Sequence, residues 1–76
     1  MINIKYIDIM PFDIYIEYFD GNFEYISFTK ALMTINHYKP LSIKFTVSDS
    51  EKSSNFLNKL LTNYHISDDI LYLKNR

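Results

Sequence analysis

Residues 12 to 26 read F-D-I-Y-I-E-Y-F-D-G-N-F-E-Y-I, and this stretch predicts a β-hairpin. Before the Asp20-Gly21 pair, side chains alternate between two faces, as they do along a strand. Asp-Gly between two such runs favours a two-residue type I′ turn, because that turn needs positive φ at both central residues. The chain has one glycine, and this turn is the position that needs it. In this register Glu17 lies directly opposite Glu24.

The segments on either side of the hairpin predict a strand and a helix. The strand runs from Ile2 to Ile9 and ends at Met10-Pro11, because proline has no amide hydrogen and restricts the residue before it. After the hairpin, Ser27 is a suitable N-cap for a helix from Phe28 to Tyr38, whose apolar residues lie mainly on one half of the helical wheel. Lys39-Pro40 is predicted to end that helix.

The second half of the chain has the clearest periodicities. Apolar and polar residues alternate without exception from Leu41 to Ser48, which predicts a strand with one buried face. A helix with one apolar stripe is predicted from Glu51 to Tyr64. Residues 63 to 69 are predicted to form a loop, and the apolar run Ile70–Leu73 is predicted to form a strand buried on both faces. Strand, helix and strand in this order predict a right-handed βαβ unit.

These elements predict a single α+β domain over residues 1 to 76. The element order is β-β-β-α-β-α-β, and the expected architecture is a single mixed β-sheet with two helices packed on one face. A chain of 76 residues has room for one domain. Because the chain has no cysteine, disulfide-stabilised scaffolds and zinc fingers are excluded.

The residue types used in catalysis and cofactor binding do not occur here in recognisable patterns. Glycine-rich phosphate-binding loops need several glycines, and this chain has one. No serine lies in a G-x-S-x-G motif, and the two histidines, His37 and His65, lie near the C-termini of different predicted helices. We therefore expect no enzyme activity, no catalytic residue and no cofactor.

One short segment contains residue types that can bind metals, namely His65, Asp68 and Asp69. A solvated loop that leads into the last strand is the plainer explanation, and we favour it. A calcium site would need about six to eight oxygen ligands in a shaped loop, and no D-x-D-x-D-G stretch is present. We therefore expect no metal site.

Targeting and membrane-spanning segments are not evident in the sequence. Lys5, Asp8 and Asp13 interrupt the apolar stretches near the N-terminus, so we expect no signal peptide. No window approaches about 18 uninterrupted apolar residues, the length needed to span a bilayer. We expect a cytoplasmic protein without membrane contact.

The feature of the sequence that indicates a function is the acidic and aromatic character of the first 28 residues. They hold eight of the thirteen tyrosine and phenylalanine residues, and five carboxylates against one lysine. On the predicted hairpin face, carboxylates stand among aromatic rings that the core does not need. Aromatic rings supply contact area at protein interfaces, and carboxylates bind Arg or Lys. The predicted partner-binding residues are Asp13, Tyr15, Glu17, Phe19, Asp20, Glu24 and Ile26.

We therefore expect a non-enzymatic protein-binding module whose partner is a larger protein with a basic surface. The acidic stretch repels phosphates, so direct nucleic-acid binding is not expected. If the partner's surface normally holds nucleic acid, the chain acts as an inhibitor by occluding that surface. The abundance of Ile, Lys, Asn, Phe and Tyr indicates an A/T-rich gene. An A/T-rich gene and a small protein suit a phage or mobile-element inhibitor, comparable in kind to anti-CRISPR proteins.

Three alternatives stay open at this point. The acidic aromatic face can be a solvated face whose charges prevent edge aggregation, or a helix or the first strand can cover part of it. A different function is a small nucleic-acid-binding regulator that uses lysines of the second half, among them Lys30, Lys39 and Lys44.

Overall fold

The computed structural model describes residues 3 to 74. The predicted strand start at Ile2 and the two ends of the predicted domain, residues 1 to 2 and 75 to 76, lie outside the described residues. The elements in chain order are β1 (Ile4–Ile9), β2 (Ile14–Tyr18), β3 (Phe23–Ile26), α1 (Phe28–Tyr38), β4 (Ser42–Val47), α2 (Glu51–Leu60), β5 (Tyr64–Ser67) and β6 (Ile70–Leu73).

The strands form one mixed sheet in the order β3-β2-β1-β4-β6-β5. β1 and β4 are parallel, and the other neighbouring strands are antiparallel. The rings of Phe28 in α1 and Phe56 in α2 have centroids 5.6 Å apart, and both helices pack on the same side of the sheet. The predicted α+β class, with a single mixed sheet and two helices on one face, is confirmed.

Both helices begin at serine caps, which is why they start where the sequence predicts. The Ser27 hydroxyl accepts a hydrogen bond from the Lys30 amide at 3.1 Å, and the Ser50 hydroxyl accepts one from the Ser53 amide at 3.1 Å. Each cap satisfies an amide that has no partner within the helix. Ser53 is itself buried, and its hydroxyl donates to the Met10 carbonyl at 2.7 Å, which ties α2 to the end of β1.

The prediction of a βαβ unit in the second half of the chain is wrong in two respects. α2 ends at Leu60 rather than at Tyr64, because its last turn tightens into bonds such as Asn63 N–H to the Leu60 carbonyl at 3.1 Å. Tyr64 then begins β5, in a segment predicted to be a loop. β6 therefore runs antiparallel to β4, and β5 is the strand parallel to β4, with β6 between them. Asp68, with a φ of 57°, makes the tight β5–β6 turn possible, because Asp tolerates the left-handed region.

The predicted hairpin between β2 and β3 is present, but its register differs by one residue. The Tyr18 amide donates to the Asn22 carbonyl at 2.8 Å, and the Gly21 amide donates to the Tyr18 carbonyl at 3.0 Å. Gly21 has a φ of 92°, whereas Asp20 is not among the described residues with positive φ. The loop therefore has three residues, with glycine in the left-handed position, instead of the predicted two-residue type I′ turn.

This shift places every β3 side chain on the face opposite to the predicted one, because strand side chains alternate. Glu17 pairs with Phe23, and Ile16 pairs with Glu24, so Glu17 and Glu24 do not face each other. Ile26 is buried against the core beside Ile14.

The hydrophobic core lies between the sheet and the two helices. It includes Ile7, Ile16 and Ile43 from the sheet and Ile35 and Leu60 from the helices, all almost completely buried. Because the core uses one face of β1, β2 and β3, the opposite face of these strands is available for other contacts.

We predict that Leu60→Ala lowers the free energy of unfolding by about 2–5 kcal/mol, because Leu60 is 1% exposed and truncation leaves a cavity. Urea unfolding followed by circular dichroism measures this loss. The matched control is Leu41→Ala, because Leu41 is exposed and its loss is expected within about 0.5 kcal/mol of zero. A loss below about 0.5 kcal/mol for Leu60→Ala would place Leu60 outside the core.

A second prediction concerns the buried Tyr64, whose hydroxyl donates to the Pro40 carbonyl at 2.8 Å. Burial raises the pKa of Tyr64 to about 12, so the folded state keeps a proton that the unfolded state loses above about pH 10. Stability is therefore lost as pH rises from about 10 towards 12. Tyr64→Phe removes the hydroxyl that causes this alkaline loss of stability. It also removes the hydrogen bond to Pro40, which lowers the free energy of unfolding by about 1–3 kcal/mol near neutral pH.

Urea unfolding at a series of pH values tests the role of Tyr64. The difference in stability between the wild type and Tyr64→Phe should shrink across this alkaline range. Parallel stability profiles for the two proteins would show that the Tyr64 hydroxyl does not titrate differently in the folded state.

Candidate functional site

The candidate site is the face of β1, β2 and β3 that points away from both helices. Four rings, those of Tyr6, Tyr15, Phe23 and Tyr25, form a contiguous group on this face, which we name the aromatic cluster. Tyr15 is at its centre, with ring centroids 6.1 Å from Tyr6, 5.8 Å from Phe23 and 5.2 Å from Tyr25. Phe23 and Tyr25 are 61% and 60% exposed, so the cluster is open to solvent at its β3 side.

The register of the three strands creates this cluster. Tyr15 pairs with Tyr25 across β2 and β3, and Phe23 pairs with Glu17 one step along. On the other side of β2, Tyr6 pairs with Glu17. Cross-strand neighbours on one face lie about 4.5–5.5 Å apart at Cβ, so their rings are brought into contact.

Glu17 is held beside the cluster by two interactions. The Tyr15 hydroxyl donates to Glu17 Oε1 at 2.9 Å, and Lys5 Nζ lies 3.4 Å from Glu17 Oε2. The hydrogen bond to Glu17 is the main reason that the pKa of Tyr15 is raised, with burial contributing next. Glu17 therefore fixes the orientation of the Tyr15 ring while its carboxylate remains partly accessible.

A second carboxylate, that of Asp8, lies at the β4 side of the cluster. The Thr46 hydroxyl donates to Asp8 Oδ1 at 2.8 Å, and the Tyr6 hydroxyl lies 2.7 Å from Thr46 Oγ1. Because Thr46 uses its one hydroxyl hydrogen on Asp8, Tyr6 must be the donor to Thr46. This chain of hydrogen bonds fixes the Tyr6 ring in the same way that Glu17 fixes Tyr15.

The structure brings together only some of the predicted site residues. Tyr15 and Glu17 lie on the open face as predicted. Asp13 precedes β2, and its carbonyl accepts from the Met10 amide at 3.0 Å. Phe19 and Asp20 are exposed in the hairpin loop, and Asp20 Oδ1 accepts from the Asn22 amide at 2.9 Å.

The prediction that Glu24 and Ile26 share the open face is wrong. Glu24 lies on the helix side, where the Tyr18 hydroxyl donates to its Oε2 atom at 2.6 Å. Burial, followed by this hydrogen bond, raises the pKa of Tyr18 well above its usual value. Ile26 belongs to the core. The one-residue register shift at Gly21 is the cause of both errors.

Three members of the aromatic cluster were missed as site residues, namely Tyr6, Phe23 and Tyr25. The alternation of F-E-Y-I at residues 23 to 26 predicts that Phe23 and Tyr25 share a face, but not which face. Only the hydrogen bonds of the loop decide between the two faces.

The lysines of the alternative nucleic-acid function do not lie on one surface. Lys30 belongs to α1 on the helix side of the sheet, and Lys39 is the C-cap of that helix. Lys44 pairs with Tyr6 across β1 and β4 and thus projects on the open face. The three charges therefore do not form the continuous basic patch that phosphate binding favours.

The residues of the β5–β6 region whose side chains can bind metals also occupy separate positions in the structure. His65 stacks on Tyr72, with ring centroids 5.7 Å apart, whereas Asp68 and Asp69 form the turn between β5 and β6. Over residues 3 to 74, no group of three or more His, Asp or Glu side chains is placed to hold a metal ion. In the same part of the chain, neither helix has the length and apolar character needed to cross a membrane.

Comparisons with protein-family models, with curated proteins and with solved structures find no match to this chain. The geometry and charge of the open face are therefore the basis on which a function is proposed.

Proposed function

We propose that the chain is a non-enzymatic protein-binding module that uses the aromatic cluster to dock on a basic surface of a larger protein. The single observation that carries this proposal is the contact of four rings on the sheet face that points away from α1 and α2. The core lies on the opposite face, so folding does not require these rings to be together. Tyrosine-rich clusters of this kind are typical anchors of protein interfaces.

The aromatic cluster is ordered before any partner arrives, which favours binding. Tyr15 touches three other rings, and its hydroxyl is held by Glu17. Tyr6 is held through Thr46. Side chains that are already fixed lose little conformational entropy on association, where each freely rotating side chain costs about 0.5–1.5 kcal/mol.

Charge favours a basic partner. On or beside the open face of β1, β2 and β3 there are four carboxylates, those of Asp8, Asp13, Glu17 and Asp20, and two lysines, Lys5 and Lys44. Lys5 is paired with Glu17, and the balance of charge on this face is negative. Arg or Lys of a partner can pair with the accessible carboxylates and can also lie over the exposed rings of the cluster. The same charges disfavour phosphate groups, and therefore direct nucleic-acid binding.

The specific form that we propose is an inhibitor. A basic surface on a larger cytoplasmic protein is commonly a site that holds nucleic acid, and a small module docked there excludes it by occupancy. The small size and the A/T-rich codon preference of the composition suit a phage or mobile-element origin, in which case the inhibitor is comparable in kind to anti-CRISPR proteins.

We predict that Glu17→Lys and Tyr25→Ala each weaken partner binding by at least about tenfold. Glu17→Lys replaces attraction by repulsion at the interface, and Tyr25→Ala removes an aromatic anchor. Affinity of the wild type should fall with added salt, because charges are screened over about 8 Å at physiological ionic strength. The partner is first recovered from host lysate with the wild-type chain, and each variant is then titrated against it by calorimetry.

The matched control is Met33→Ala, which removes an exposed apolar side chain from α1 on the helix side and should leave the affinity unchanged. Circular dichroism confirms that all variants are folded. Equal affinities for wild type, Glu17→Lys and Tyr25→Ala would mean that the open face is only a solvated face. Binding of labelled DNA or RNA at low salt, in a shift assay, would instead support the nucleic-acid-binding alternative.

A further inference from the structure

The strand β3 is an edge strand with an unused row of backbone hydrogen-bonding groups. It is the first strand in the sheet order, and within residues 3 to 74 no strand pairs with its outer side. The hydrogen bond from the Tyr18 amide to the Asn22 carbonyl identifies these two residues as a hydrogen-bonded pair. Hydrogen-bonded and non-hydrogen-bonded pairs alternate along an antiparallel ladder, so the next hydrogen-bonded pair is Ile16 with Glu24. The amide and carbonyl groups of Phe23 and Tyr25 therefore point outward, away from β2.

β3 is short and carries Glu24 on the helix side, but it lacks three other features that usually prevent a strand from pairing with another chain. Protein edges are commonly blocked by lysine, proline or a bulge. β3 reads F-E-Y-I, contains neither Lys nor Pro, and pairs with β2 without a register shift. Its two outward-bonding residues carry the two most exposed rings of the aromatic cluster.

We propose that the partner adds an extended segment to the outer side of β3, as a further strand of the sheet. This inference rests on the proposed function, and it names the element of the partner that binds. The new strand would hydrogen-bond to the backbone of Phe23 and Tyr25, which is the β-augmentation mode of peptide recognition. The sheet order then becomes partner-β3-β2-β1-β4-β6-β5.

The charges beside the edge define the sequence of that segment. Glu24 lies between the two outward-bonding residues, on the helix side, and is fixed there by the Tyr18 hydroxyl. The partner residue opposite Glu24 belongs to a non-hydrogen-bonded pair, in which side chains approach closely. Lys or Arg at that position pairs with the Glu24 carboxylate. Apolar residues on either side of it lie against the rings of Phe23 and Tyr25, so the segment reads apolar-basic-apolar.

A second copy of this chain is a poorer occupant for the same edge. Two copies can pair their β3 strands antiparallel, with Phe23 of one copy opposite Tyr25 of the other. This arrangement uses all the outward amide and carbonyl groups, but it places Glu24 directly opposite Glu24 of the second copy. Like charges at directly opposed positions destabilise a ladder. The edge is therefore complementary to a basic strand and not to itself.

The test uses the full chain, labelled with ¹⁵N, and a short capped peptide in which valine and lysine alternate. Titration should shift the amide signals of Phe23 and Tyr25 and slow their hydrogen exchange. Methylating the backbone amides of the valines should lower the affinity of the peptide by at least about tenfold, because those amides face β3. Methylating the lysine amides, which face away, should change the affinity by less than about threefold. A peptide that alternates valine with glutamate should not bind.

Variants of the chain provide an independent check. Tyr25→Pro removes an outward amide without removing a β2–β3 hydrogen bond, and it should abolish the peptide-induced shifts at β3. Tyr25→Ala, which loses the same ring but keeps the amide, should retain these shifts with weaker affinity. Hydrogen exchange at Ile16 and Glu24 verifies that the hairpin is intact in both variants.

Three outcomes would overturn the proposal, and each is distinct from failure of the proposed function. Absence of shifts at saturating peptide excludes strand addition, whereas the recovered partner can still bind the aromatic cluster. Shifts that are insensitive to amide methylation and centred on Tyr6 and Tyr15 indicate docking on the open face alone. Shifts at Phe23 and Tyr25 that depend on protein concentration without peptide indicate that a second copy occupies the edge.

Discussion

The left-handed conformation of Gly21 is the constraint on which the open face depends. With a φ of 92° at the third loop position, it allows the Tyr18 carbonyl to accept from the Gly21 amide, and Asn22 becomes the residue paired with Tyr18. A non-glycine residue is strained there by about 1–2 kcal/mol, so the loop and its only glycine are matched. Because strand side chains alternate, this loop decides which β3 residues meet solvent.

The same loop makes the core and the open face mutually consistent. It buries Ile26 beside Ile14, and burying an isoleucine side chain stabilises a fold by about 1.5–3 kcal/mol. It also places Glu24 within reach of the Tyr18 hydroxyl, so that a carboxylate on the helix side has a partner. The two remaining β3 side chains, the rings of Phe23 and Tyr25, are then directed to the open face. The proposed interaction surface and the stability of the hairpin therefore have one physical cause.

The sequence predicts what local chemistry determines and misses what pairing between distant residues determines. The helix starts follow from serine caps, and β4 follows from strict alternation, so the α+β class was predictable. β5 was missed because Tyr64 continues the apolar period of α2, and only pairing with β6 shows that it belongs to a strand. Phe23 and Tyr25 were missed as site residues because Asp-Gly fits both a two-residue loop and a three-residue loop, and the choice appears only in backbone hydrogen bonds.

A nuclear Overhauser measurement in solution determines the β2–β3 register, on which the open face depends. In non-hydrogen-bonded antiparallel pairs the Cα atoms lie about 4.5 Å apart, so their α-hydrogens give strong cross-peaks. We expect such peaks between Tyr15 and Tyr25 and between Glu17 and Phe23. A strong α-hydrogen cross-peak between Ile16 and Tyr25 would instead show the two-residue turn, and it would contradict the placement of Phe23 and Tyr25 on the open face.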